Sequence, residues 1–396
     1  MTEELRPPSP PAPIEWARQN LFSNWMDTLL TLVSLGILVA VITGAFRWIF
    51  ITANWSPISE NFVLYLVGQF PRDELWRVGM AAGLFSLLLG LSWGMWGPLL
   101  RPFTITLIGF YLIIAVLPIP SLSATIRIFL AVNPVLIGLG LFIAHRFNPS
   151  SRILAIAWPI LLIVTFYLLR GIGGYEPIPR VEINFWGGLI VTTILAVGGI
   201  TISFPIGVML ALGRRSSLPV VSMFSTAFIE LVRGVPLISI LFLFSLIVPL
   251  FLPPGIRFDR MLRALVAMIV FSAAYTAENV RGGLQAIPSG QYEAAYAIGL
   301  SNVQTTTFIV LPQALRKVIP AIVGQFISLF KDTTLASGVA VLELLSIGRS
   351  ILQGNPEYIG LQAEVYIFIA AIFWIFSYSM SVTSRRLEER LGVGTR

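Results

Sequence analysis

Five charged residues lie inside runs of otherwise apolar sequence, where they could bind or neutralise a charged group: Glu230, Arg233, Glu278, Lys331 and Asp332. A charge at bilayer depth costs about 2.5–3.5 kcal/mol on insertion scales, so such a residue usually faces a cavity or a partner. Glu230 and Arg233 are three residues apart, would share a helix face, and could neutralise each other. This favours a structural ion pair that braces the following Gly-Val-Pro break. It leaves open that the broken helix borders a translocation path.

The other three charges permit the same two interpretations. Glu278 is followed one turn later by Arg281, and i,i+3 pairing is the simpler explanation. Lys331 and Asp332 are adjacent, so their side chains point about 100° apart on a helix and cannot both face lipid cheaply. A structural Lys–Asp network is one interpretation of this pair, and a role in binding is the other.

The residues needed for bond chemistry are missing. Cysteine is absent and His145 is the only histidine, which excludes cysteine nucleophiles, zinc–thiolate sites and multi-histidine metal sites. A Walker-type phosphate loop needs Gly-Lys-Ser/Thr, whereas the two lysines follow Arg316 and Phe330. We therefore predict no catalytic residue, no metal and no cofactor in this chain. If ATP is used, another subunit must bind it.

The elements that position these residues are membrane spans. Of the 396 residues, 56% are hydrophobic and 11% are charged, and the mean hydropathy is +0.85. Soluble domains have about 25% charged residues, so a soluble enzyme and a disordered chain are excluded. The sequence predicts an all-α integral membrane protein, with residues 281–317 outside the bilayer. About ten apolar runs are predicted to span it: 26–50, 78–100, 103–119, 126–144, 153–169, 185–212, 218–250, 261–280, 318–350 and 366–384.

Polar segments divide the chain. The turn-rich stretch from Gly171 to Asn184 is the clearest boundary. We predict four parts: a Pro-rich tail and interfacial stretch at 1–25, an accessory region at 26–184 with an external segment at 51–77, a second set of spans at 185–384, and a C-terminal tail at 385–396.

The distribution of arginines predicts the orientation. The net charge is +7, and the loops richest in cations fall on one side, which is typical of the cytoplasmic face. On the other side cations accompany acids, such as Arg72 with Asp73 and Arg180 with Glu176. Residues 251–263 are placed outside despite Arg257, Arg260 and Arg263. Both termini are therefore predicted to be cytoplasmic, and the basic balance reflects anionic lipid, not nucleic acid.

One polar segment between two spans, residues 288–312, carries a motif. A short helix from Gln291 to Ile298 is predicted to end at Gly299 in a left-handed cap. The next span is predicted to begin at the residues that follow Thr305–Thr307. The fixed positions of the motif are Glu293, Ala294, Ala295, Gly299, Ile309, Leu311 and Pro312.

These residues and their spacing resemble the EAA loop of the inner-membrane permease subunits of ABC importers. The resemblance covers about residues 185–390 and points to the polar-amino-acid branch. The N-terminal part resembles the larger permease of general L-amino-acid uptake systems. The resemblance implies a type I importer core of about five helices, preceded here by about five accessory helices. It also implies that 288–312 forms a coupling helix in a cleft of the ATPase. Exposed Ala294 and Ala295 would allow close approach, and Glu293 would meet a polar or basic group.

The resemblance also implies the partners and the location. The chain would work in a bacterial inner membrane with a second, different permease subunit, two ATPase subunits that bind ATP-Mg, and a periplasmic binding protein that delivers L-amino acids. Its substrates would be polar or basic amino acids, or a broad range. Under this interpretation Asp332 holds a substrate ammonium, helped by the hydroxyls of Thr333 and Thr334, with Lys331, Glu230, Arg233 and Glu278 as further candidates along the path.

Two other classes compete with this interpretation. An ion-coupled secondary amino-acid transporter would need ionisable groups in its path and no ATPase, and the EAA-type loop argues against it. A membrane scaffold or channel component would bind an ATPase and move nothing.

Overall fold

The computed structural model describes residues 12–174, 177–253 and 258–392. The far N-terminal tail, Glu176 and Arg257, on which predictions were made above, lie outside the described residues. Within them the chain is helical, and only two isolated bridges, Gly68 with Trp186 and Gly188 with Glu343, have strand-like pairing. An all-α architecture is therefore confirmed for the described part of the chain.

The chain divides into two compact units, residues 1–55 and 56–396. In the first unit, α1 (Pro13–Asn20) is followed by α2 (Trp25–Arg47), which continues as a π-helical turn to Thr52. The Asn24 side chain caps α2 by accepting a hydrogen bond from the Asp27 amide. No α2 side chain is buried. Its apolar surface suits a helix surrounded by lipid.

The second unit begins with two short helices and four longer ones. Among these, α5 and α7 make the closest contact, because glycines allow their backbones to meet. A Cβ atom at Gly90 would lie 2.1 Å from the Ile137 carbonyl oxygen, and one at Gly140 would lie 2.2 Å from that of Leu87. The helices are α3 (Ser56–Ser59), α4 (Phe62–Val67), α5 (Leu75–Trp96), α6 (Arg101–Val116), α7 (Ala124–Phe147) and α8 (Ser151–Arg170).

Among the remaining helices α12 contacts α9, α10, α11 and α15, whereas α16 packs against α9 and α17 packs against α15. Gly207 of α9 lies directly against Thr276 of α12, where an added Cβ would meet the threonine side chain at 2.6 Å. The helices are α9 (Gly188–Arg214), α10 (Pro219–Arg233), α11 (Leu237–Phe242), α12 (Arg260–Gln285), α13 (Ser289–Ala297), α14 (Asn302–Gln304), α15 (Leu311–Asp332), α16 (Leu344–Gly354) and α17 (Gln362–Leu391).

Eight helices in the described residues are long and apolar enough to cross a membrane, and nine if the bent pair α10–α11 forms one span. That pair bends by 107° at the Gly-Val-Pro break, as the sequence predicts. The run at 103–119 forms only the 16-residue helix α6, so it falls short of the usual span length. The estimate of ten spans therefore holds only if the bent pair and α6 are both counted.

The span predicted at 318–350 is wrong in both limits. A continuous helical stretch runs from Asn302 to Val339, so the end of the predicted loop is already helical. Ser301 and Gln304 form a capping box that starts this stretch. It ends because Ala340 takes a left-handed conformation with φ of 58°, and α16 then forms a separate helix.

A buried carboxylate caps α16 beside its junction with α9. Glu343 is fully buried and accepts hydrogen bonds from the Leu345 and Ser346 amides at 2.8 and 2.7 Å. Beside it, the Gly188 amide donates to the Leu342 carbonyl at 2.8 Å. Burial raises the pKa of Glu343 from 4.5 to about 7.

This shift predicts a pH-dependent stability. Between pH 4.5 and about 7, Glu343 keeps its proton in the folded chain but has lost it in the unfolded chain. The contribution of protonated Glu343 to the free energy of unfolding is therefore complete below pH 4.5 and declines as the pH rises to about 7. Between pH 4.5 and 7.5 we expect the free energy of unfolding of the wild type to fall by about 3 kcal/mol more than that of Glu343→Gln. Thermal unfolding of both proteins at the two pH values measures this, and equal pH dependence would contradict it.

Candidate functional site

The motif segment forms an exposed helix at one end of the core. α13 begins directly after Pro288 and ends at Ala297, and Gly299 has φ of +83°. The Gly299 amide donates to the Tyr296 carbonyl at 2.9 Å, and the Leu300 amide donates to that of Ala295 at 3.1 Å. The predicted left-handed cap is therefore confirmed. Among the described residues, no other group lies within 4 Å of a Cβ placed on Gly299, so backbone conformation, not packing, explains the glycine.

The two alanines of the motif differ in exposure. Glu293 and Ala294 are exposed, whereas Ala295 has only 3% of its surface accessible. The prediction that both alanines are exposed is wrong, because adjacent helical residues point about 100° apart and Ala295 faces the protein. A partner can reach Glu293 and Ala294, while Ala295 allows α13 to lie close to its own core.

The second half of the motif anchors the segment. Ile309 lies in a π-helical turn, Thr305–Val310, and is half-buried. Leu311 packs against the cluster of buried residues that joins α9, α12 and α15. Pro312 is exposed in the first turn of α15, where a missing amide hydrogen costs little. Ile309 and Leu311 therefore fix the return of the chain within this subunit.

Polar contacts hold α13 against the ends of the neighbouring helices. The Arg215 guanidinium donates to the Tyr292 hydroxyl at 3.1 Å. The Gln313 side-chain amide donates to Gln291 at 3.0 Å, and Lys317 donates to the Ala286 carbonyl at 2.6 Å. The first two bonds tie α13 to the end of α9 and to α15, and the third joins α15 to the end of α12.

An ion cluster lies just inside this end of the core. Glu278 faces three arginines from three helices: Arg281 Nε at 2.9 Å, Arg233 at 3.5 Å and Arg214 at 3.6 Å. The predicted Glu278–Arg281 pair is confirmed. The predicted pairing of Glu230 with Arg233 is wrong, because Glu230 bonds to Arg214 at 2.9 Å. Since α9 and α12 both end here, each charge of α10 finds its partner on another helix.

A polar cavity of about 400 Å³ lies between α12 and α15, and Asp332 lines it. Asn279 donates to the Gln325 side-chain oxygen at 2.8 Å, and Gln325 donates to the hydroxyls of Ser272 and Thr276, each at 3.1 Å. These hydrogen-bonding side chains give the cavity the mixed donor and acceptor character that a zwitterion requires.

The neighbours of Asp332 do not all contribute to this cavity. Lys331 is exposed and forms no ion pair with Asp332 within 4 Å, which follows from the angle between adjacent helical side chains. Thr333 is fully buried and donates to the Phe330 carbonyl at 2.7 Å; Thr334 donates to that of Lys331 at 2.8 Å. Both hydroxyls thus cap their own helix. The prediction that they assist Asp332 has no geometric support.

Sequence reasoning missed the cavity partners of Asp332. Gln325 is one polar residue in an apolar run, and its partner Asn279 lies 46 residues earlier. Only the side-by-side packing of α12 and α15 brings the two together. Arg214 was missed for the same reason, because its partners Glu230 and Glu278 lie on other helices. Its signal was its position at the end of a span without other charges.

An all-helical membrane core with an exposed helix between two spans, backed by an ion cluster and a polar cavity, defines a transporter permease. Residues 203–393 match the family described as "Binding-protein-dependent transport system inner membrane component". The chain is 37% identical to the "Inner membrane amino-acid ABC transporter permease protein YhdY" of Escherichia coli K12, over 96% of this chain and 93% of that protein. The chain therefore belongs to the amino-acid ABC transporter permeases of this family. It is a transporter subunit and not an enzyme, and the ATPase is a separate subunit.

A second relative supports this membership, and one solved structure is similar over half of the chain. The "Glutamate/glutamine/aspartate/asparagine transport system permease protein BztC" of Rhodobacter capsulatus is 35% identical over 98% of this chain and 97% of that protein. The structure described as "Crystal structure of an amino acid ABC transporter with histidines" is 30% identical over 51% of this chain and 92% of that one, with a TM-score of 0.46.

Proposed function

We propose that this chain is the transmembrane permease of an ATP-driven importer of L-amino acids. It would act in a bacterial inner membrane, with both termini cytoplasmic, beside a second and different permease. A periplasmic binding protein would deliver the substrate, and two ATPase subunits would bind ATP-Mg. The exposed helix α13 carries this proposal, because Glu293 and Ala294 on its outer face are exposed while its inner face is bonded to the end of α9 and to α15.

Coupling would follow from the arrangement along α12. Residues 286–288 connect the end of α12 to α13. α12 also contributes side chains to both the ion cluster and the polar cavity. When the ATPase closes on ATP, it would move α13 through Glu293 and Ala294. A small shift of one helix would let the arginines and glutamates of the cluster exchange partners. The cluster could therefore reorganise while α12 moves as one rigid element.

We further propose that residues 185–384 form the family-type transport core and that the accessory helices α3 to α8 brace it. α17, at the end of the core, is held to α5 by Arg390, which donates to the Trp96 carbonyl at 2.8 Å. Arg386 donates to the Pro98 carbonyl at 3.2 Å. These contacts support a bracing role for the accessory helices at the end of the core that carries α13.

The cavity between α12 and α15 is the proposed substrate site. Its volume of about 400 Å³ lies in the range of small-ligand sites. The Asp332 carboxylate would accept from the substrate ammonium, and the Asn279 and Gln325 amides would contact its polar atoms. The relative named for glutamate, glutamine, aspartate and asparagine transport supports polar amino acids as the substrates.

Asp332→Asn tests this site. Removal of the charge should raise the KM for uptake roughly tenfold or more, since hydrogen bonds to charged groups contribute about 1.5–3 kcal/mol. The measurement is uptake of labelled amino acid into proteoliposomes that contain the complete importer. Lys331→Gln is the matched control, because Lys331 is adjacent to Asp332 but is exposed and does not line the cavity. An unchanged KM in Asp332→Asn would exclude Asp332 as the ammonium ligand.

A further inference from the structure

A second cavity, of about 540 Å³, opens at the other end of the core. Arg260 and Met261, the first residues of α12, form one wall, and Ser346, Arg349 and Gln353 of α16 form another. α12 has 26 residues, so at 1.5 Å per residue this cavity lies about 39 Å along the helix from the end that leads to α13. The two cavities share no lining residue, so this cavity is separate from the one that Asp332 lines.

The lining of this cavity is cationic. Two guanidinium groups, from Arg260 and Arg349, contribute to it, and its other polar side chains are hydroxyls and amides without an acid. In the described part of the chain, no carboxylate lies within 4 Å of either guanidinium. Glu343 interacts electrostatically with Arg349, but it is fully buried and both of its oxygens accept backbone hydrogen bonds.

Two arginines without acid partners, in a concave site, match the chemistry of a ligand with two carboxylates. Arginine presents a planar fork of donors that binds a carboxylate through two parallel hydrogen bonds. The volume lies in the usual range for small-molecule sites. The Gln353 side-chain oxygen and the Ser346 hydroxyl can accept from an ammonium group.

We propose that this cavity is a binding station for dicarboxylic amino acids. One arginine would hold the α-carboxylate and the other the side-chain carboxylate, with the ammonium on the neutral polar wall. The proposal rests on the proposed import function and narrows it, because it assigns to this end of the path a preference for anionic amino acids over their amides and over cationic ones.

Equilibrium binding to the purified permease–ATPase complex, without the binding protein, tests this station. L-glutamate and L-glutamine are titrated into the wild type and into Arg260→Gln, Arg349→Gln and the double variant. We expect the wild type to bind glutamate at least tenfold more tightly than glutamine, and each single variant to lose at least tenfold in glutamate affinity. Arg180→Gln is the matched control, since Arg180 is exposed and does not line the cavity, and it should bind like the wild type.

Three results would overturn the station. The first is a wild type that does not prefer glutamate, and the second is an equal loss in Arg180→Gln. The third is unchanged glutamate binding in the arginine variants together with weaker association when the binding protein is added in a separate titration, which would assign the arginines to an acidic protein surface. Uptake of glutamine in proteoliposomes, measured on the same preparations, distinguishes failure of the station from failure of the proposed import function. If glutamine uptake persists, only the station is rejected. If the wild type imports no amino acid, the proposed function is rejected as well.

Discussion

Gly299→Asp is expected to abolish amino-acid uptake while the subunit still inserts and folds. An aspartate at φ of +83° adds strain of about 1–2 kcal/mol and places a charge at the end of α13. Loss of about 2.7 kcal/mol of association would weaken ATPase binding roughly 100-fold. Co-purification of the ATPase with the permease, and uptake by the reconstituted complex, measure the effect.

The chain supplies a matched control for this substitution. Gly360 has φ of +93°, also has open space around its missing Cβ, and lies at the opposite end of the core between Tyr358 and α17. Gly360→Asp therefore introduces the same charge with similar backbone strain. It should retain ATPase association and uptake. If both variants lose the ATPase equally, the effect of Gly299→Asp is general destabilisation and not loss of coupling.

Glu278→Gln is expected to have the second largest effect. The substitution leaves Arg214, Arg233 and Arg281 together with Glu230 as the only acid of the cluster. Removal of one partner from a buried ion cluster costs about 3–5 kcal/mol. The Glu278 side chain is 23% exposed, so we expect about 2–3 kcal/mol. Thermal unfolding in detergent should show a lower Tm, and uptake should fall with it because α9, α10 and α12 meet at this point.

Glu230→Gln provides the comparison within the same cluster. Its side chain is 54% exposed and, among the described residues, forms an ion pair only with Arg214. Water compensates for the lost charge, so we expect a loss of less than about 1 kcal/mol in the free energy of unfolding. Equal destabilisation by the two substitutions would show that Glu278 is not the centre of the cluster.

The sequence predicts the fold class and the local features well, because these depend on nearby residues. Apolar runs about 20 residues long predict the helices, a glycine after a run of helix formers predicts the cap at Gly299, and i,i+3 spacing predicts the Glu278–Arg281 pair. The bend after Arg233 also follows from the local Gly-Val-Pro sequence, since proline has no amide hydrogen to continue the helix.

The errors concern contacts between distant segments. Pairing of Glu230 with Arg214 depends on how α9 and α10 are packed, and local spacing suggested Arg233 instead. The burial of Ala295 depends on which face of α13 meets the core, and a nine-residue helix with apolar residues on several sides does not reveal this. The cavity of Gln325, Asn279 and Asp332 likewise exists only after α12 and α15 have packed.

The central claim is that α13 contacts an ATPase subunit, and a site-specific cross-link tests it most directly. The chain contains no cysteine, so Ala294→Cys introduces a single thiol at an exposed position of α13. Gly360→Cys is the control at the opposite end of the core. A thiol-directed photo-cross-linker on Ala294→Cys should yield a permease–ATPase adduct in the assembled complex, and the same reagent on Gly360→Cys should yield none. Absence of the adduct from Ala294→Cys in complexes that still import amino acids would contradict the coupling assignment.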